Sequence, residues 1–133
     1  MKHKLDLVRG WLLKGDSDLL NAKRTVNSEG PYDTACFHAQ QAVEKYLKAV
    51  LIYDDQLVPK THDLEELQLL CESLVNNREF SDLELVELSD YAVSVRYDFE
   101  FWPDIEIVKE AVQVRVLVCS SLEIDMPFAG DML

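Results

Sequence analysis

Residues 37–49, which read FHAQQAVEKYLKA, decide the fold of this chain. Apolar side chains recur every three or four residues here and on both flanks, which predicts an amphipathic helix from about 32 to 53. The other side of that helix carries a polar arc of about 120° at three- and four-residue spacing. The apolar face comprises Ala35, Ala39, Ala42, Val43, Tyr46, Leu47 and Val50, and the polar arc comprises His38, Gln41, Glu44, Lys45 and Lys48.

The same periodicity predicts four further helices outside this stretch. The first runs from about 4 to 26, with apolar positions Leu5, Val8, Leu12, Leu19, Ala22 and Val26, and Gly10 and Gly15 weaken or kink it. The third begins at Thr61 or Asp63, where Asp63 and Glu66 fit a capping pattern, and ends near 75. The fourth runs from 81 to about 97, and the fifth from about 104 to 124.

Residues 112–118, VQVRVLV, have a strand-like composition inside the fifth predicted helix. The length of the segment and its Pro-Asp start outweigh β-branched propensity, so we expect a helix. The predicted fold is therefore all-α, an up-down bundle of four to five helices. Residues 1–125 are expected to form one domain, and residues 126–133 a C-terminal tail that frays.

The charge, the cysteines and the absence of several motifs argue against a number of functions. The formal net charge of -12 over 133 residues argues against binding to duplex DNA, although a local cationic pocket remains compatible with a nucleotide or a short RNA. Cys36, Cys71 and Cys119 are expected to be small core residues in a reducing compartment. No signal peptide or membrane span is expected, and a cytoplasmic location follows. The three histidines lack metal-ligand spacing, and neither a phosphate-binding glycine loop nor a nucleophile elbow is present.

Each candidate polar residue has a structural alternative. The polar arc either lines a groove that presents donors to a phosphate or base, or is a solvated helix face. His62 either contacts a ligand or bonds a neighbouring loop at the start of the third helix. Arg96, followed by Tyr97, either presents its guanidinium to a phosphate or pairs with a carboxylate such as Glu44.

Taken together, residues 37–49, the helix start THDLEEL at 61–67 and the pair Arg96-Tyr97 resemble the HEPN domain family. The resemblance extends from about residue 4 to 124, and DLLNAK at 18–23 fits it too. It implies a helical bundle like that of nucleotidyltransferase substrate-binding subunits, usually dimeric and often paired with a minimal nucleotidyltransferase. It also implies links to nucleotide binding, RNA cleavage and toxin–antitoxin or defence systems.

Ribonuclease members of that family carry an Arg followed, after four to six residues, by a His. Here the Arg matches Arg96, but the corresponding positions are Phe101, Trp102 and Pro103, and no histidine follows His62. The imidazole that would move a proton in metal-independent RNA cleavage is thus missing from its expected place.

Together with this resemblance, the sequence predicts a non-catalytic, cofactor-free and metal-free protein that binds a nucleotide, or a nucleotidyltransferase partner, beside the second and fourth helices; the homodimer and the nucleotidyltransferase partner are what the resemblance implies. Two alternatives stay open: a ribonuclease that uses Arg96 with a displaced histidine, and a pure protein-interaction module. The predicted contacts are His38, Gln41, Lys45, Lys48, His62, Arg96 and Tyr97.

Overall fold

A computed structural model describes residues 3–27, 33–74 and 106–128, and all regular structure in these ranges is α-helical. The helices are α1 (Lys4–Val26), α2 (Asp33–Tyr53), α3 (Leu64–Leu74) and α4 (Glu106–Leu122). The predicted all-α fold is confirmed. Helix α4 is the fifth helix of the sequence prediction. The fourth predicted helix, with Arg96 and Tyr97, lies outside the described residues.

Helices α1 and α2 form an antiparallel pair. Lys4, at the start of α1, pairs with Asp55 just beyond α2, and the ring centre of Trp11 lies 5.9 Å from the Lys48 ammonium. Farther along α1, Asp18 meets Lys45, so contacts move backward along α2 as they move forward along α1. Helix α2 also packs against α3 and α4, which makes it the centre of the described bundle.

The core follows the predicted apolar face of α2, since every residue assigned to that face is buried. Four of the apolar positions that predicted α1 are buried, namely Val8, Leu12, Leu19 and Ala22, whereas Leu5, near the start of the helix, is exposed. No break occurs at Gly10 or Gly15, because α1 is one continuous helix. Instead, Gly15 lies where the buried ring of Tyr46 packs against the helix.

Side chains and backbone geometry define the helix ends. The Asp63 carboxylate accepts hydrogen bonds from the amides of Glu65 at 3.0 Å and Glu66 at 3.3 Å, which confirms the predicted cap of α3. Two residues that follow helix ends lie in the left-handed region, where glycine is usual: Asp55 (φ 59°), two residues after α2, and Glu123 (φ 55°), directly after α4. Residues 112–118 are helical, as expected, because their burial pattern follows the period of a helix.

The start of the C-terminal tail is packed, which contradicts the expected fraying for residues 126–128. Phe128 is buried, with the Lys23 ammonium 5.1 Å and the Arg115 guanidinium 4.9 Å from its ring centre. Arg115 also donates to the carbonyl of Met126 at 2.7 Å. For residues 126–128 the fraying prediction was wrong because these contacts come from α1 and α4, and local periodicity contains no signal for them; residues 129–133 lie outside the described residues.

Candidate functional site

The polar arc of α2 is organised around two carboxylates. The first is Asp18 on α1, which faces two members of the arc. His38 Nδ1 lies 3.1 Å from Asp18 Oδ1, and the Lys45 ammonium pairs with Asp18 Oδ2. We call these three residues the Asp18 cluster. They join α1 to the first half and the middle of α2 at a partly buried position.

The second carboxylate is Glu44, which lies on the arc itself. His62 Nδ1 is 2.6 Å from Glu44 Oε1, and the Lys48 ammonium is 3.5 Å from Glu44 Oε2. The Gln40 amide donates to the carbonyl of His62 at 3.5 Å, which also holds this segment beside α2. We call Glu44, Lys48 and His62 the Glu44 cluster. His62 precedes α3, and it contacts α2 rather than a neighbouring loop.

Burial separates the two alternatives for the arc. The side chains of Glu44 and Lys48 are only 5% and 10% exposed, so these two do not form a solvated helix face. The side chain of His62 is 82% exposed, although its Nδ1 contacts the buried carboxylate. A buried ion pair is stable only when its geometry compensates for the hydration that both charges lose. The Glu44 cluster thus places a buried carboxylate and ammonium beneath an imidazole that solutes can reach.

Trp11 and Gln41 border the two clusters. The ring of Trp11 is partly buried against the Lys48 ammonium, a cation–π contact that restrains the lysine. Gln41, which lies between His38 and Lys45 along the length of α2, donates to the side-chain oxygen of Gln40 at 3.0 Å. Five of the seven predicted contacts therefore lie on or beside one face of α2. Arg96 and Tyr97 are outside the described residues, and their placement stays a prediction.

Sequence reasoning missed a buried cluster of Asp16, Tyr46 and Arg115. Arg115 donates to Asp16 through Nε at 2.6 Å and Nη2 at 3.0 Å, and the Tyr46 hydroxyl donates to Asp16 at 2.6 Å. The cluster joins α1, α2 and α4. Its sequence signal was available: a charged residue lies inside a strongly apolar stretch in VQVRVLV, and such a charge needs a buried partner.

The electrostatics of this cluster indicate a structural role. Burial and the Asp16 carboxylate raise the pKa of Tyr46 far above its usual range. Burial alone would lower the pKa of Arg115, but the hydrogen bond and charge of Asp16 outweigh it, so the pKa is raised. The phenol and the guanidinium therefore keep their protons. These groups hold the bundle together and do not exchange protons near neutral pH.

The cysteines are free thiols. Burial, assisted by Asp33, raises the pKa of Cys36 to about 12, and burial also raises the pKa of the half-buried Cys119. Cys36 and Cys71 are core residues, as predicted. In the described ranges, His, Cys, Asp and Glu form no group of three that could hold a metal ion. Nor does any helix of residues 3–27, 33–74 and 106–128 have the length and hydrophobicity to cross a bilayer.

Comparison with known proteins agrees with the geometry of the bundle. The sequence model of one family, described as HEPN domain, matches residues 8–123, which is most of the chain. No curated protein and no solved structure matches the chain. The matched span contains both carboxylate clusters and the buried Asp16 cluster.

Proposed function

The chain belongs to the HEPN domain family, and on that premise we propose that it is a non-catalytic binding protein of a toxin–antitoxin or defence-type module. Its ligand is a nucleotide, a minimal nucleotidyltransferase partner, or both. The binding surface is the polar arc of α2 together with His62 and Trp11. Arg96 is proposed to supply a further phosphate contact, as the resemblance to the family implies. The protein is expected to act as a homodimer.

The Glu44 cluster is the observation that carries this proposal. Lys48 is held between Glu44 and the Trp11 ring, so its position is fixed before any ligand arrives. A phosphate oxygen can share the Lys48 ammonium with Glu44, while the exposed His62 offers a second donor. Donors that are restrained in advance lose little conformational freedom on binding, which favours affinity.

The charge balance favours a nucleotide over a bare anion. Lys45 and Lys48 are opposed by Asp18 and Glu44, so two positive charges meet two negative ones when the imidazoles are neutral. Such a surface attracts inorganic phosphate weakly over distance. A nucleotide can add contact between its base and the aromatic ring of Trp11, which is worth roughly 1–3 kcal/mol in single-stranded nucleic acid complexes. Recognition is therefore expected to need both the phosphate and the base.

A thermal-shift panel tests the proposal with AMP, ADP, ATP, GTP, NAD, a short RNA and inorganic phosphate. A ligand at 100 times its dissociation constant adds about 2.7 kcal/mol of stability. We expect one nucleotide to raise the melting temperature of the wild type and of Lys109→Met. Lys109 is a matched control because it pairs with Glu106 at 3.0 Å on an exposed face of α4.

The same shift should be lost in Lys48→Met and in Arg96→Ala, and reduced in Trp11→Leu. Circular dichroism of each variant without ligand separates loss of binding from loss of fold. If no nucleotide shifts the wild type, nucleotide binding is wrong. In that case, co-purification of the chain with a nucleotidyltransferase would support the pure protein-interaction module.

One contact favours the ribonuclease alternative. Glu44 Oε1 accepts from His62 Nδ1 at 2.6 Å, which leaves Nε2 on the exposed side of the ring. An imidazole oriented by a carboxylate is suited to accept the proton of an RNA 2′-hydroxyl as its oxygen attacks the adjacent phosphate. His38, with its Nδ1 near Asp18, is the other displaced histidine.

A cleavage assay in EDTA distinguishes this alternative from binding alone. Ribonuclease activity that survives chelation and His38→Ala, but is lost in His62→Ala and Arg96→Ala, would establish it. Equal residual activity in all three variants would identify a contaminating nuclease and leave the binding function as the account of the site.

A further inference from the structure

The outer face of α1 points away from the core and carries an unusual residue pattern. Its members are Asp6, Leu7, Gly10, Leu13 and Lys14, and we call it the Gly10 face. The two leucines are large exposed hydrophobics, at 44% for Leu7 and 59% for Leu13. A Cβ added to Gly10 would meet no atom within 4 Å, so the backbone itself is open at the centre of the face.

The pattern is symmetric about Gly10. Leu7 and Leu13 are three residues before and after it, and on a helix of 3.6 residues per turn they lie about 60° to either side. Asp6 and Lys14 are four residues before and after it, about 12 Å apart along the axis, and they carry opposite charges. A face whose apolar groups repeat and whose charges invert across its centre is complementary to an antiparallel copy of itself.

We propose that a second copy of this chain docks on the Gly10 face, with the two α1 helices crossing antiparallel at Gly10. Asp6 of one copy then faces Lys14 of the other, twice, because a two-fold axis repeats every contact. The ridge formed by positions 6, 10 and 14 follows the four-residue spacing that packs helices at about −50°. Glycine at the crossing point lets the backbones approach closely, so that the leucines of both copies are covered.

Charge argues for a second copy as the occupant. The chain carries a net charge of -12, so most of its surface repels another copy. The Gly10 face is neutral, with one carboxylate and one ammonium. Among the described residues, neither Asp6 nor Lys14 forms an ion pair, so both charges are available to a partner. A self-complementary neutral face is where two acidic copies can meet with the least repulsion.

The Gly10 face rests on the homodimer of the proposed function, for which it supplies the contact surface, and it is separate from the ligand surface on α2. Trp11 lies at the edge of both surfaces, but the Glu44 and Asp18 clusters are not part of the Gly10 face. Loss of dimerisation is therefore expected to leave the nucleotide shift in place, so failure of one proposal is distinguishable from failure of the other.

Charge exchange tests the interface by sedimentation velocity over a range of concentrations. The wild type is expected to dimerise. Asp6→Lys places like charges opposite each other, as does Lys14→Asp, and each should weaken the dimer at least about tenfold. The chain with both substitutions restores opposite charges and should dimerise like the wild type. An equimolar mixture of the two single variants should form heterodimers, since both charge pairs are then opposite.

Two further variants test whether the effects come from the Gly10 face itself. Arg9→Asp makes the same charge change as Lys14→Asp on the same helix but off the face, so dimerisation should be retained. Gly10→Leu should abolish the dimer while leaving the monomer folded, because its Cβ has open space. A wild type that stays monomeric at high concentration would overturn the proposal. So would a dimer that single reversals leave unchanged, or single variants that fail to form heterodimers when mixed.

Discussion

Alanine substitution at two glycines of α1 should change the stability of the chain in opposite directions. A methyl group at position 15 would lie 2.6 Å from Cε1 and 2.9 Å from Cδ1 of the Tyr46 ring. That ring is fully buried, and its hydroxyl is bound to Asp16 at 2.6 Å. The ring therefore cannot move aside without disturbing this hydrogen bond. Position 10, five residues earlier, has open space for the same methyl group.

Three contributions determine the expected change in the free energy of unfolding. In both variants the replacement of helical glycine by alanine contributes about 1 kcal/mol of stability. At position 15 overpacking costs about 1–3 kcal/mol, and weakening a hydrogen bond to a buried carboxylate costs about 1.5–3 kcal/mol. Gly15→Ala should thus destabilise the chain by roughly 1.5–5 kcal/mol. Gly10→Ala should stabilise it by about 1 kcal/mol.

Thermal and urea denaturation, followed by circular dichroism, measure both changes. The melts are run at a concentration at which wild type and variants sediment as monomers, which removes any contribution of dimerisation at Gly10. At about 3–5 °C per kcal/mol for a domain of this size, the two variants should melt at least about 8 °C apart. Gly15→Ala in a Tyr46→Phe background should cost less, because phenylalanine has no hydroxyl to hold in place. A Gly15→Ala variant that melts at or above the wild type would refute the packing argument.

Three further predictions concern buried groups. Arg115→Met removes the main partner of the buried Asp16 carboxylate and should cost about 3–5 kcal/mol in urea denaturation; a loss below about 1 kcal/mol would contradict the buried pair. The raised pKa of Tyr46 means that the unfolded phenol loses its proton first as the pH rises above about 10. Stability should therefore fall with rising alkaline pH more steeply in wild type than in Tyr46→Phe, and equal slopes would count against the raised pKa. The pKa of Cys36 is raised to about 12, so its thiol should react slowly with a thiol reagent at pH 8 in the folded chain and rapidly in urea. The measurement uses a variant in which the other two cysteines are replaced by alanine. Rapid reaction of the folded variant would contradict the burial of this thiol.

Much of the described fold could be predicted from the sequence because the apolar residues that a helix buries recur every three or four positions. The bounds of α1 were predicted to the residue, and α2 within one residue, since each has an apolar face of helical spacing. Helix α4 was predicted against its β-branched composition for the same reason. The packing of Phe128 was missed, because its partners come from distant helices.

The candidate site shows where such prediction ends. Periodicity placed Glu44, Lys45 and Lys48 on one face of α2, but it could not show that Asp18 on another helix pairs with one of them. Nor could it distinguish a solvated face from a pair as buried as Glu44 and Lys48. Which side chains of two helices pair with each other depends on the rotation and crossing angle of the helices, and packing of the whole core sets both.

The central claim is that a nucleotide binds at the polar arc of α2, and amide and indole chemical-shift mapping by NMR tests it most directly. Titration with a nucleotide is expected to shift the Trp11 indole N–H, the Gln41 side-chain amide and the backbone amide of His62, and Lys48→Met is expected to abolish these shifts. Away from the polar arc, a cavity of about 300 Å³ lies between the end of α1 and α4 and is lined by Val26, Val108 and Val112, among others. Shifts confined to that cavity, or no shifts at all, would contradict the account.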